Sequence, residues 1–235
     1  MARNYLIIGG GTGIGNALIQ EIMRTDEEAG IYAASRKINE ADLPDKVNPI
    51  TYDVLGEEKL EGLPDELHAM AYCPGSINLQ PFKRFSVEDL RKEIELNYLG
   101  GVKVLLQIID KLKRTKSGSV LFFSTVAVQM GLPFHSAVSA SKGALEGLVR
   151  SLAAEYAPSV RFNAIAPSLT DTPLAKNLLS SDKKRESNAE RNPMKKIGTP
   201  QDIANVGAYL LSDRSDWVTG QVMGIDGGMG STRPL

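Results

Sequence analysis

A run of glycines near the amino terminus restricts the fold of this chain more than any other feature. The sequence Gly-Gly-Gly-Thr-Gly-Ile-Gly occupies residues 9–15, after the apolar segment Tyr5–Ile8 and at the start of the amphipathic segment Ile14–Arg24. Glycine has no Cβ atom, so such a turn lets the backbone approach a ligand closely and directs the N–H groups of a following helix at negative charge. The pattern is typical of a pyrophosphate-binding turn, and a turn that serves packing alone is the alternative.

Short apolar runs alternate with longer amphipathic stretches along the rest of the chain. The predicted strands are Tyr5–Ile8, Ile31–Ala34, Ile50–Tyr52, Ala69–Tyr72, Ser119–Phe123, Val160–Ile165 and Val222–Ile225. The predicted helices are Ile14–Arg24, Val87–Lys113, Ala137–Ala157 and Pro200–Leu211. This alternation predicts a Rossmann-type α/β fold, a doubly wound parallel sheet with helices on both faces. The 235 residues suit a single domain over 1–235.

Composition and charge exclude several classes of function. The net charge of −1 gives no global field that would attract nucleic acid or an anionic membrane. The single cysteine, Cys73, fits a reducing compartment, and no stretch reaches the length of a membrane span. His68 and His135 are far apart and form no metal-ligand cluster. We therefore expect a cytoplasmic protein with a small-molecule substrate, and no metal, nucleic-acid or membrane partner.

Residues 168–198 form the least regular stretch of the sequence. Six of its basic residues lie in its second half, interspersed with glutamates: Lys183, Lys184, Arg185, Arg191, Lys195 and Lys196. A solvated helix face accounts for such a pattern. The alternative, which we adopt as the prediction, is a lid over a ligand, because this part of a doubly wound fold lies where ligands bind.

Several motifs resemble those of the short-chain dehydrogenase/reductase family. Gly9-x-x-x-Gly13-Ile14-Gly15 resembles the family's T-G-x-x-x-G-I-G motif, with Ile8 replacing the threonine. Residues 163–173 resemble its N-x-I-x-P-G-x-x-x-T segment, with Ser168 replacing the glycine. The closing signature of the family is matched by residues 198–204, 211–213, 217–221 and 226–228. The resemblance implies an oxidoreductase that uses a nicotinamide dinucleotide.

The end of the second predicted strand indicates which dinucleotide is bound. A carboxylate at this position favours NAD, because it bonds the 2′-hydroxyl of the ribose and repels a 2′-phosphate. This chain has Ala34-Ser35-Arg36 instead, and both Ser35 and Arg36 can donate to a phosphate. We predict NADP(H), with NAD less favoured; an exposed surface arginine is the alternative for Arg36.

The resemblance also implies the residues that contact the dinucleotide. They are Gly9, Gly11, Thr12, Gly13, Ile14, Gly15, Ser35, Arg36, Asp53, Val54, Cys73, Pro74, Gly75, Asn97, Lys142, Pro167, Thr170 and Thr172. The match is incomplete at residues 72–75, because only Gly75 agrees with the family's Asn-Asn-Ala-Gly.

The catalytic tetrad implied by the resemblance has one member replaced. Asn97, Thr125 and Lys142 match the family's asparagine, serine and lysine positions. The family's proton-donating tyrosine precedes the lysine by four residues, and Val138 stands there. Valine has no proton to donate. Lys142 is expected whether or not the protein is catalytic, because this lysine also contacts the nicotinamide ribose in the family.

Three hypotheses follow from Val138. In the first, His135 donates the proton, since it precedes Lys142 by seven residues, as the tyrosine does in the family's enoyl reductases. In the second, reduction of a conjugated C=C bond leaves an enolate that Thr125 or Lys142 stabilises and water protonates. In the third, the protein binds a dinucleotide without chemistry, as a sensor or scaffold. We expect an NADP-dependent reductase of a carbonyl or enoyl compound.

The resemblance further implies a homo-oligomer, a tetramer or dimer. The family packs its two long helices against a neighbour, so Leu145, Leu148 and Leu152 are expected at an interface. Apolar residues near the site are expected to set substrate size, with core or interface packing as the alternative. These residues are Met130, Leu132 and Phe134.

Overall fold

The fold is built on one seven-stranded sheet, in a computed structural model that describes residues 2–38 and 43–232. The strands are β1 (Asn4–Ile8), β2 (Gly30–Ser35), β3 (Val47–Thr51), β4 (Ala69–Tyr72), β5 (Gly118–Phe123), β6 (Val160–Pro167) and β7 (Val222–Ile225). All pair in parallel, in the order β3-β2-β1-β4-β5-β6-β7. The predicted doubly wound sheet is confirmed. Its order reverses between β1 and β4, where such sheets bind ligands.

Helices cover both faces of this sheet. They are α1 (Gly13–Thr25), α2 (Val87–Ile94), α3 (Gly100–Arg114), α4 (Ala127–Met130), α5 (Ser136–Tyr156), α6 (Asp182–Glu190) and α7 (Pro200–Leu211). Side chains alternate between the two cores along β1: Leu6 packs with residues of α3 and α5, and Ile7 packs with residues of α1 and α7. This alternation follows from the period of two in a strand and the burial of both faces of a parallel sheet.

The long helix predicted over Val87–Lys113 is interrupted, and the prediction is wrong at this point. A π-helical turn, Glu95–Leu99, separates α2 from α3. Two glycines follow it and allow close packing against the sheet: a Cβ atom on Gly101 would lie 2.9 Å from the Phe122 ring. The turn contains Asn97, and π turns within α-helices occur frequently at functional sites.

The predicted lid segment is closed at its base. Thr170 pairs with Gly198, and Gly198 exchanges backbone hydrogen bonds with Asp171 (2.8 Å) and Leu169 (3.1 Å). Between these ends lies α6, whose Arg185 is 2.7 Å from a carboxylate oxygen of Asp171. The segment is therefore an ordered excursion from the end of β6.

Leu145 lies in the core of the single chain, so its predicted interface role is wrong. Its exposed fraction is 0 %, and it packs in the cluster between α5 and the sheet. Leu148 and Leu152 are partly buried against the same cluster. In the part of the chain that is described, no helix has the length and apolar character needed to cross a membrane.

Candidate active site

The glycine turn adopts a backbone path that requires glycine. Gly9 and Gly13 have positive φ angles of 78° and 56°, a region that other residues rarely adopt. A Cβ atom on Gly15 would collide with the Gly9 carbonyl oxygen. The Gly9 N–H donates to the Ala34 carbonyl oxygen at 2.7 Å, which joins the turn to β2. The turn is therefore fixed in shape at the start of α1.

Three predicted cofactor-binding segments meet around this turn. Cβ atoms built on Gly9, Gly11 and Gly13 would lie 3.2 Å from Pro74, 3.4 Å from Ser35 Oγ and 3.5 Å from Thr172, respectively. These neighbours come from the ends of β4, β2 and β6. The side chain of the N-cap residue Thr12 does not cap the amino terminus of α1, and the first turn of this helix has no acidic residue. Its N–H groups and the positive end of the helix dipole therefore suit an anion.

The end of β2 presents a guanidinium group, on Arg36, and a hydroxyl group, on Ser35. Arg36 is exposed. Ser35 Oγ donates to the Lys37 carbonyl oxygen at 3.0 Å, so a phosphate would compete with this bond. Beyond β3, Asp53 accepts the Leu55 N–H at 3.0 Å, and Val54 is buried. The described residues that directly end β2 and follow it, Ser35 to Ile38, include no carboxylate.

A mostly apolar cavity of about 330 Å³ lies beyond the carboxyl ends of β4, β5 and β6. The predicted site residues in its wall are Ile14, Cys73, Gly75, Thr125, His135, Val138, Lys142, Pro167, Thr170 and Thr172. Leu132 also lines it, as predicted, whereas Met130 and Phe134 do not and are exposed. The lid segment contributes Leu174, Leu178 and Arg191.

Val138 and Lys142 lie one turn apart on α5, and both are 6 % exposed and face the cavity. Burial lowers the pKa of Lys142 to about 8, although the negative forms of Cys73 and Glu93 act in the opposite direction. Burial in this apolar wall therefore disfavours the charged ammonium form of Lys142. The Lys142 amine can exchange a proton near neutral pH.

Thr125 presents the free hydroxyl group on the β5 side. Its Oγ1 accepts the Ala127 N–H at 3.3 Å, which leaves the hydroxyl hydrogen available to a ligand. The neighbouring Ser124 is buried, and its hydroxyl donates to Glu146 Oε1 at 2.6 Å. In this arrangement the Ser124 hydrogen is directed at Glu146, whereas no described residue accepts the Thr125 hydroxyl hydrogen.

His135 stands on the rim of the cavity, directly before α5. Its Nδ1 lies 2.7 Å from the Pro133 carbonyl oxygen. A carbonyl oxygen only accepts, so Nδ1 carries a hydrogen, and in the neutral ring Nε2 is an acceptor. His135 therefore donates from Nε2 only in its doubly protonated form.

Cys73 behaves as a small packing residue. The side chain is half-buried, and burial of its thiol raises the pKa of Cys73 to about 12. The reactive thiolate is therefore scarce at neutral pH.

Two residues of the site, Ser76 and Glu93, are absent from the sequence predictions. Asn97 Nδ2 lies 2.9 Å from Ser76 Oγ and 3.0 Å from Glu93 Oε2. Ser76 lines the cavity, and Glu93 is buried behind it. The spacing of four between Glu93 and Asn97 was the available signal, because it places two side chains on one helix face.

Comparison with known proteins assigns the family. The family model described as enoyl-(acyl carrier protein) reductase matches residues 16–230. The chain belongs to the short-chain dehydrogenase/reductase family. This family comprises oxidoreductases, and the 3-oxoacyl-[acyl-carrier-protein] reductase FabG of Thermotoga maritima is 29 % identical over 240 residues, covering 95 % of this chain and 96 % of FabG.

Other members of the short-chain dehydrogenase/reductase family are similarly related. A tropinone reductase homolog of Arabidopsis thaliana is 30 % identical over 245 residues, covering 96 % of this chain and 91 % of the homolog. The ligand-free aldohexose dehydrogenase of Thermoplasma acidophilum superposes with a TM-score of 0.86 at 26 % identity, over 100 % and 96 % of the two chains. ElxO, solved with NADP bound, shares the fold with a TM-score of 0.88 at 24 % identity, over 99 % and 100 %.

Proposed function

We propose that this protein is an NADP(H)-dependent oxidoreductase that reduces a carbonyl or enoyl group of a small molecule. One observation carries the proposal: Lys142 and Thr125, on different elements, present an ammonium and a hydroxyl group to one apolar cavity. That cavity reaches Ile14 and Thr172, beside the glycine turn. A substrate oxygen bound between the two donors would be stabilised as negative charge develops on it.

The glycine turn and its neighbours form the proposed dinucleotide site. The turn and α1 would bind the pyrophosphate, and Ser35, Arg36, Asp53 and Val54 would surround the adenosine. Pro74, Gly75, Asn97, Lys142, Pro167, Thr170 and Thr172 would surround the nicotinamide half. NADP is favoured by Arg36 at the end of β2 and agrees with the NADP bound to ElxO. When bound, the dinucleotide supplies or accepts a hydride.

The proposed tetrad is Asn97, Thr125, Val138 and Lys142. In this arrangement Thr125 and Lys142 orient the substrate oxygen and stabilise its charge, while Val138 only packs against the substrate. Proton donation falls to another group, and His135 on the cavity rim is the first candidate.

A non-catalytic dinucleotide-binding protein, acting as sensor or scaffold, is the second candidate. The observation that favours it is Val138, which places an apolar side chain in the cavity wall where the family resemblance implies a proton-donating tyrosine. It would bind NADP(H) without turnover.

Two further features complete the proposal. Residues 168–198 would act as the substrate lid, with the Arg185–Asp171 ion pair bracing α6 against its base. The protein would assemble as a homodimer or homotetramer, as its family does.

Turnover of NADPH tests the proposal. The purified protein is mixed with NADPH and a panel of acetoacetyl- and crotonyl-N-acetylcysteamine, cyclohexanone and 2-cyclohexenone, and the absorbance of NADPH is followed. We expect at least one compound to be reduced, and Lys142→Met to lower that rate by about 100-fold. NADPH binding with no turnover of any compound would support the second candidate.

A further inference from the structure

A buried carboxyl group lies beside the cavity and is not part of the proposed tetrad. The Glu93 side chain is 6 % exposed and lies on α2, one helical turn before Asn97. Acidic side chains are almost never this buried unless other groups bind them. The partners of Glu93 are the Ser76 hydroxyl group and the Asn97 amide.

The hydrogen bonds among these three residues fix the orientation of the Asn97 amide. The Ser76 N–H only donates, so its acceptor at 3.3 Å is Asn97 Oδ1. Asn97 Nδ2 therefore faces the acceptors Ser76 Oγ at 2.9 Å and Glu93 Oε2 at 3.0 Å. Ser76 Oγ donates to Glu93 Oε2. The three side chains thus hold one another in a single arrangement, which we name the Glu93 cluster.

The Glu93 cluster reaches the cavity through Ser76. Ser76 and Gly75 both line the cavity, next to Lys142. A Cβ atom on Gly75 would lie 3.3 Å from Asn97 Oδ1 and 3.4 Å from Lys142 Nζ, so these two atoms border the same small space. A hydroxyl group in the cavity wall is therefore hydrogen-bonded directly to a buried carboxyl group.

This arrangement differs from the one at His135. His135 is already bound to the Pro133 carbonyl oxygen through Nδ1 and offers a proton only as a cation. Ser76 has a hydroxyl hydrogen, and the carboxyl group of Glu93 lies behind it. A serine hydroxyl becomes an effective proton carrier when a neighbouring group replaces the proton it gives away.

We propose that Ser76 exchanges the catalytic proton with the substrate and that Glu93, acting through Ser76, supplies and takes up that proton. The proposal rests on the proposed reductase function and names the proton donor that Val138 leaves missing. Asn97 holds the Ser76 and Glu93 side chains within hydrogen-bonding distance of each other.

In the reducing direction the substrate receives a hydride and a proton from different donors. The substrate gains two electrons with the hydride that the reduced nicotinamide dinucleotide gives up on being oxidised. As the hydride adds, the π bond that it attacks breaks. In a carbonyl compound the negative charge develops directly on oxygen, and in an enoyl compound it develops on the oxygen of an enolate.

In the resting arrangement Ser76 donates its hydroxyl hydrogen to Glu93. When Glu93 takes up a proton from solvent, this hydrogen bond reverses and the Ser76 hydrogen becomes available to the substrate. The substrate oxygen then takes the Ser76 hydroxyl proton as the Glu93 carboxyl proton moves to Ser76 Oγ, which leaves Glu93 as the carboxylate it was at the start.

Four variants test this route with the compound that the wild-type protein reduces. Glu93→Gln keeps the shape and hydrogen bonding of the side chain but removes the titratable group, and Ser76→Ala removes the hydroxyl group. The double variant tests whether they act as one unit. Glu95→Gln, on an exposed side chain of the same helical run, is the matched control.

We expect Glu93→Gln and Ser76→Ala each to lower kcat by about 100-fold with the NADPH Kd unchanged within about twofold. The double variant should be no slower than the slower single variant, and Glu95→Gln should match the wild type. A fifth variant, His135→Ala, removes the other candidate donor. A loss of about 100-fold in His135→Ala together with an unchanged rate in Ser76→Ala would overturn the proposal and assign the proton to His135. A rate for Glu93→Gln equal to that of Glu95→Gln would overturn the proposal while leaving the reductase function intact. A wild-type protein that binds NADPH but reduces nothing would overturn both.

A measurement without turnover examines the same contact. The infrared difference between wild-type protein and Glu93→Gln isolates the carboxyl vibrations of Glu93. Ser76→Ala should shift these vibrations, because one hydrogen bond is lost, and Glu95→Gln should not. Unshifted Glu93 vibrations in Ser76→Ala would overturn the proposal, since Ser76 would then not contact Glu93 in solution.

Discussion

Val138 lies one turn before Lys142 on α5, and the two buried side chains line the same wall of the cavity. A proton-donating side chain at Val138 would therefore stand beside an ammonium group and face the same ligand. The apolar side chain found there has no proton to donate, and each prediction below follows from a particular residue in the cavity wall or beside the glycine turn.

Introducing a phenol at this position should create or increase carbonyl reduction. In Val138→Tyr the Lys142 charge favours the ionised phenol and so lowers its pKa, which makes it a better acid near neutral pH. We expect at least a tenfold higher rate with cyclohexanone and NADPH. Val138→Phe is the control, because it has the same ring without the hydroxyl group. Equal rates for the two variants would show that ring volume alone changes the activity.

Lys142 should make stability depend on pH. Its folded-state pKa of about 8 lies below the ordinary lysine value of 10.5, so the unfolded chain binds more protons between these values. The cost of the buried charge is fully present below pH 8 and declines as the pH rises from 8 to 10.5.

Lys142→Met removes this cost. We expect the variant to be more stable than wild type by up to about 3 kcal/mol at pH 7, with the gap shrinking as the pH approaches 10. Urea unfolding of both proteins across this range measures the gap. A difference that stays constant from pH 6 to 10 would contradict the assigned shift.

Gly15→Ala should abolish dinucleotide binding, because its Cβ atom would displace the Gly9 carbonyl oxygen and reshape the turn. Gly147→Ala on α5 is the matched control, since a Cβ atom there meets nothing within 4 Å. The control should be neutral or more stable by up to about 1 kcal/mol, as alanine favours helix. NADPH titration and thermal unfolding distinguish the two. Unaltered affinity in Gly15→Ala would exclude the turn as the pyrophosphate site.

Arg36 should determine the choice between NADPH and NADH. Loss of a charge-assisted bond to the 2′-phosphate should raise the NADPH Kd of Arg36→Ala by about tenfold or more and leave the NADH Kd unchanged. Arg91→Ala, on an exposed helix face, is the control. Equal changes for both dinucleotides would mean that Arg36 contacts neither the 2′-phosphate nor any group specific to NADPH.

Much of the fold could be predicted because its signals are local. The predicted bounds of β4, β7 and α7 agree with the structure at both ends. Proline, glycine and apolar runs mark these ends directly in the sequence. The strand β3 is displaced from its prediction: it spans Val47–Thr51, so it begins before the predicted Ile50 and ends before Tyr52.

The parts that sequence did not indicate depend on contacts between distant segments. The π turn at Glu95–Leu99 has a wider backbone than an α-helix, and the apolar periodicity of the sequence does not reveal this difference. In the sequence, Glu93 resembles any charged residue of an exposed helix. It is buried only because it packs against the loop that carries Ser76. The sequence alone likewise allows Leu145 to be an interface residue, and only the fold shows that it packs against the sheet beneath α5.

Calorimetric titration of NADPH and then NADH into the wild-type protein tests the central claim most directly. The account predicts saturable binding of NADPH, with a Kd at least about tenfold below that of NADH, because Arg36 and the glycine turn act on the same ligand. Absence of binding heat from both dinucleotides, with binding also undetected by fluorescence, would contradict the account, since neither the turn nor Lys142 would then belong to a dinucleotide site.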